Sequence, residues 1–136
     1  MKIASPNSHI FDRSANEEAL FRCQTALDQK DREDYAAAQN TMRPFWRGVG
    51  ANPRTDGLDP SATAEVLMCA GILTSWIGSK NQIPDAQETA KDLLTRSISI
   101  SEANRDLTKV AVAQSEIAYC YWREGAVNEA RSWLQE

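Results

Sequence analysis

From Ile117 the chain reads Ile-Ala-Tyr-Cys-Tyr-Trp-Arg-Glu-Gly-Ala-Val-Asn-Glu-Ala-Arg-Ser-Trp-Leu-Gln-Glu, ending at Glu136. A large apolar residue and a small one stand together at Ile117 and Ala118. Tyr121, Gly125, Ala130 and Leu134 follow at helical steps. Small residues let two antiparallel helices approach closely, and the aromatic and leucine fill the groove beside them. A glycine at 125 permits the left-handed backbone that ends a helix. The stretch therefore predicts two short helices folded back on each other, with Ala118 facing Ala130.

These positions resemble one tetratricopeptide repeat, a helix-turn-helix unit of about 34 residues. The resemblance is detailed only over about 107–136. Earlier in the chain, Ala26 precedes Ala38 by the same interval that separates Ala118 from Ala130, and Asp34-Tyr35-Ala36-Ala37-Ala38 echoes the run that ends at Ala130. This first pair lacks the turn glycine. The middle pair, with Ala70 or Gly71 and then Ala90, departs further through an enlarged turn at 78–85. The resemblance implies an all-α fold of antiparallel helix pairs stacked as a short solenoid.

The rest of the chain supports helices throughout. Residues 1–14 carry turn formers and no sustained period, so they read as a flexible arm before a helical domain over 15–136. Helical periodicity then predicts pairs at about 16–46, 62–101 and 106–136. Ser61 or Thr63 is placed to cap the third helix, and Pro44 to end or bend the second. The segment 47–61 holds Gly48, Gly50, Pro53, Gly57 and Pro60 and reads as a long loop. The repeat pattern has a further small residue one place past Glu136. The sequence reading is thus of an array cut within its sixth helix, with Val127, Trp133 and Leu134 leaving an apolar side uncovered. Self-association as a two-fold dimer through that helix pair is expected.

Composition bounds the function. Apolar residues make up 42% and charged residues 25%, and fifteen basic against nineteen acidic residues leave a net charge of −4. That balance argues against nucleic acid, which needs a concentrated positive field. The richest apolar run, 66–77, is interrupted by Gly71, Thr74 and Ser75 and is too short to span a bilayer. Residues 1–9 do not resemble a secretory signal, and a cytoplasmic location is expected.

No chemistry is legible. His9 is the single histidine, and Cys23, Cys69 and Cys120 are widely dispersed. That set forms no zinc motif and reads as three buried, reduced thiols. No catalytic residue, metal or cofactor is expected. Trp46, Trp76 and Trp133 read as packing residues, whereas Trp122 points away from the Ile117–Tyr121 stripe.

What remains is binding. Tetratricopeptide arrays, by resemblance, hold a peptide or partner helix on a concave face. Helix geometry puts Ser115, Glu116, Tyr119, Trp122 and Arg123 off the packed stripe, and these are the candidate partner-binding residues. Ile117, Ala118, Tyr121, Gly125, Ala130 and Leu134 are the candidate packing set. The expected partner is a protein or peptide, with neither nucleic acid nor membrane. The alternative is a small-molecule or signal-peptide sensor in a larger bacterial-type protein, with loop 47–61 as a lid.

Overall fold

The computed structural model describes the backbone of residues 4–135 and the side chains of residues 15–125. Every regular element among them is a helix: α1 (Ala4–Asp31), α2 (Tyr35–Thr41), α3 (Pro60–Lys80), α4 (Ala86–Ala103) and α5 (Leu107–Gln135). The chain is all-α.

α3 is the centre. It is apolar on every side, and each residue from 66 to 75 is buried, as expected of a helix surrounded by others. It is long and apolar enough to cross a membrane by length and composition, but the other helices cover that surface. One side of α3 packs Val66, Cys69, Ala70 and Leu73 with Ala19, Cys23, Ala26, Ala38 and Trp46 of the N-terminal third. The other packs Met68 and Ile72 with Ala90 and Leu94 of α4 and Ala113 and Cys120 of α5.

The contacts give the directions. Ser97 Oγ donates to the Ala64 carbonyl at 2.8 Å and Ser75 Oγ to Gln87 Oε1 at 2.6 Å, so α3 and α4 are antiparallel. Asn16 accepts from the Asp59 amide, Cys69 meets the Cys23 carbonyl, and Lys30 lies over Trp76. These pairs keep a near-constant separation, 43 and 46 residues for the two hydrogen bonds, so α1 runs parallel to α3. Lys109 with Ser61, and Arg123 with Ser75, are each 48 apart, so α5 is parallel to α3 as well. Three parallel helices thus stand side by side.

Helices close against each other where side chains vanish. A Cβ on Gly78 would lie 2.2 Å from Ala86 Cβ. One on Gly71 would lie 2.8 Å from Leu94 Cγ and 3.2 Å from the Ala90 carbonyl oxygen. The middle pair, weakest by sequence resemblance, makes close small-residue contacts at Gly71 and Gly78. Ala26 and Ala38 of the first pair are fully buried in one cluster.

The last pair does not form. α5 runs unbroken through Gly125 to Gln135, which puts Ala118 and Ala130 about 18 Å apart along one helix at 1.5 Å per residue. They cannot face each other. Ala118 and Tyr121 are exposed, Ile117 is half-buried, and the Cβ position of Gly125 meets nothing within 4 Å. The side chains of Val127, Ala130, Trp133 and Leu134 lie outside the described residues, and the expected dimerising helix pair is a single helix.

A lone glycine costs a helix only about 1 kcal/mol against alanine, and nothing around Gly125 supplies a stop. The junctions that do break share a device. Glu33, Gln82 and Arg105 take left-handed backbone, with φ of 63°, 54° and 58°. The next amide, of Asp34, Ile83 or Asp106, then reaches back to the carbonyl of Gln29, Gly78 or Ser101 at 2.8–2.9 Å. This is Schellman closure without glycine. Asp34 and Asp106 then accept from the amides of Ala37 and Lys109, capping the following helices.

Other boundaries also differ from the sequence reading. α1 begins at Ala4, within the expected arm, because Pro6 falls in the first turn, where its missing N–H has no helical partner to lose. α2 stops at Thr41, ahead of Pro44, instead of reaching Trp46. Asp59, with Pro60 behind it, caps α3 in place of Ser61 or Thr63, accepting from the Ala62 amide at 2.8 Å.

Two glycines test this architecture with opposite signs. Gly78→Ala is expected to lose about 1–2 kcal/mol, because overpacking against the fixed Ala86 Cβ outweighs the gain in helix preference. Gly125→Ala should gain up to about 1 kcal/mol, since it is helical and unobstructed. Thermal melts check both. A destabilised Gly125→Ala would restore the turn at that position.

Candidate functional site

The α1–α2 turn, the start of α2, the C-terminal part of α3 and the middle of α5 line an open groove of about 1110 Å³. α5 lines it with Ser115, Ala118, Tyr119, Trp122 and Arg123. α3 contributes Trp76, Ser79 and Lys80, the α1–α2 turn contributes Glu33, and α2 contributes its first residue, Tyr35. The parallel alignment of α1, α3 and α5 brings these residues together.

Arg123 is the most constrained of them. Its Nη1 donates to Ser75 Oγ at 2.6 Å. Ser75 in turn donates to Gln87 Oε1 at 2.6 Å, and Gln87 Nε2 donates to the Ser75 carbonyl at 2.9 Å. Ser75 and Gln87 are both buried, so a relay from α4 through α3 holds the guanidinium. Its carbon sits 4.2 Å from the Trp76 ring centre and 5.6 Å from that of Tyr119. Lys30 also lies over Trp76, at 4.8 Å, and Lys80 over Tyr35, at 5.5 Å. Such contacts orient cations on aromatic faces. Trp122 and Tyr119 are left exposed, at 66% and 54%.

Two polar atoms here are buried without a partner among the described residues, Trp76 Nε1 and Glu116 Oε1. Burial pushes the Glu116 carboxyl above its ordinary range. The charges of Lys30 and Arg123 pull it back in part, and Asp31 adds to the rise.

Four of the five sequence candidates, Ser115, Tyr119, Trp122 and Arg123, line the groove, and Glu116 sits beside it, partly buried. Sequence reasoning missed Trp76, Lys80 and Tyr35, which share no local pattern with α5. The count of four tryptophans was the available signal for Trp76. Loop 47–61 lies away from the groove. Its Asp59 amide bonds Asn16, its Asn52 accepts from Arg96, and Val49, Ala51 and Leu58 pack on the N-terminal cluster. It is part of the core wall and not a lid.

The cysteines sit apart from the groove surface. Cys23, Cys69 and Cys120 are buried and unbridged. A hydrogen bond with Cys23, together with burial, raises the Cys69 thiol well above its ordinary value. Burial raises that of Cys120, against weaker opposing effects of Ser75 and Arg123. Both changes disfavour the thiolate that nucleophilic chemistry needs. His9 lies outside the described side chains.

Among known proteins, no family model, no curated protein and no solved structure matches this chain.

The Glu116 carboxyl supplies a signed test. A carboxyl raised in the folded state costs stability above its folded pKa and nothing below the ordinary carboxylate range. Glu116→Gln should therefore melt higher than the parent at pH 7, and the difference should vanish as the pH falls through about 4.3. An unchanged difference at pH 4 would remove the desolvation account.

Proposed function

We propose that the chain is a non-catalytic binding module that holds a peptide segment of a partner protein in the groove between the start of α2, α3 and α5. The observation that carries this reading is the groove itself, with Trp122 and Tyr119 exposed on its wall and Arg123 fixed on its floor. Tryptophan, tyrosine and arginine are the residues that dominate binding energy at protein interfaces. The groove is open and not an enclosed cavity, so a chain can enter and leave it. The lid that the sensor reading allowed for is not offered by loop 47–61, which packs on the N-terminal cluster.

The architecture that supports this function is a short solenoid of helix pairs, α1 with α2, α3 with α4, and α5 opening a third. The parallel helices are offset by 46 and 48 residues at Cys23–Cys69 and Ser75–Arg123. That is longer than the roughly 34 residues of a tetratricopeptide unit, so the proposed kinship lies in small-residue pairing and not in repeat length. Binding by rigid presentation follows, because Arg123 and Trp76 are ordered before any ligand arrives, which lowers the entropic cost of association.

A random twelve-residue peptide display against the full chain tests the reading. Selected peptides should bind Trp122→Ala about tenfold more weakly or worse, a loss of about 1.4 kcal/mol or more. Because Trp122 is exposed, the variant should fold as stably as the parent to within about 0.5 kcal/mol. Selected peptides indifferent to Trp122, or no selection at all, would refute the groove as the binding site.

A further inference from the structure

We infer that the groove selects acidic segments. In this inference, which rests on the peptide-binding reading, a side-chain carboxylate of the partner docks on the Arg123 guanidinium. A neighbouring aromatic or large aliphatic side chain lies on Trp122 and Tyr119.

The charge inventory carries the first step. The lining holds two cations, Lys80 and Arg123, against one carboxylate, Glu33. The other half-buried cations near the core are already neutralised. Lys30 pairs with Asp31, Lys91 with Glu88 and Glu124, and Lys109 with Glu65 and Asp106. Among the described residues no carboxylate forms an ion pair with Arg123 or Lys80; the Glu116 carboxyl beside the groove feels the Arg123 charge, but burial disfavours its charged form.

Geometry carries the second step. One Nη of Arg123 is spent on Ser75, and Trp76 supports the plane of the group. The remaining N–H donors keep the planar fork that matches a carboxylate. A guanidinium already held in place gives up little freedom on binding. The Ser79 and Ser115 hydroxyls also stand in the lining. The donors fixed in direction in the lining are those of Arg123, and these call for an acceptor from the ligand.

Competing ligands fit worse. A cationic segment would meet Lys80 and Arg123 in the lining, and Trp76, Tyr119 and Tyr35 already carry Lys30, Arg123 and Lys80, which leaves Trp122 as the face open to it. A phosphate, with nearly two charges, favours helix N-termini and clustered cations. Here the two lining cations, Lys80 and Arg123, stand on different helices, each over an aromatic ring. A single carboxylate on one arginine fork suits the site better.

The test uses the full chain and fluorescent twelve-residue peptides in four matched sets. Each places a Trp or Leu beside a central pair that is Asp-Glu, Asn-Gln, Lys-Lys or phosphoserine. The Asp-Glu set should bind about tenfold tighter than the Asn-Gln set, with the margin shrinking as salt rises. Arg123→Gln should erase that margin, and Arg123→Lys should restore only part of it. Because Arg123→Gln also breaks the Ser75 bond, Lys80→Gln serves as a second variant outside the relay and should narrow the margin without lowering the melting temperature. Equal binding of the Asn-Gln set, or tighter binding of the lysine or phosphoserine set, overturns acid selection. If that binding still depends on Trp122, the groove remains a peptide site. If no set shows Trp122-dependent binding, both readings fall.

Discussion

The close crossing of α3 and α4 governs this structure. At Gly78 and Gly71 the two backbones approach so nearly that a single added carbon would meet Ala86 or Leu94. Close approach brings many weak dispersion contacts into range at once and leaves no void to destabilise the core. It also sets α3 deep between the two ends of the chain, with the N-terminal cluster on one side and α4 and α5 on the other. Larger side chains at those glycines would force the pair apart and shift everything that leans on it.

Arg123 is one of the things that lean on it. Its orientation depends on Ser75 of α3, which is held by Gln87 of α4, so the groove floor inherits its geometry from the crossing. The groove therefore joins three helices that are remote in sequence, and its walls are parts of the packed core and not mobile loops. Sites built on packed helices hold side chains more exactly than sites built on loops. The left-handed residues Glu33, Gln82 and Arg105 serve the same end. Each ends a helix in one tight turn, so that α1, α3 and α5 run parallel and put Trp76, Tyr119 and Tyr35 within reach of one another.

Helix content was legible because apolar periodicity is local. So was the outward face of α5, since Ser115, Tyr119, Trp122 and Arg123 share one side of a regular helix whatever it packs on. The turn at Gly125 was read from one glycine in a repeat-like frame. A turn also needs capping and a return path, and these stand elsewhere, at Glu33-Asp34 and Arg105-Asp106. Non-glycine residues in left-handed backbone leave little trace in sequence, because tertiary packing offsets their local strain.

By itself, the sequence determined that the chain is helical, which segment of α5 faces outward, and that small residues at 70–71 and 90 allow two helices to meet closely. These follow from side-chain size and a 3.6-residue period, which neighbours alone can specify. Only the tertiary structure decided that α5 stays whole, that loop 47–61 serves as core wall, and that Trp76, Lys80 and Tyr35 join Arg123 around one groove. Those outcomes depend on which helices lie side by side, and helix register across 43–48 residues of intervening chain is set by packing and not by any local signal.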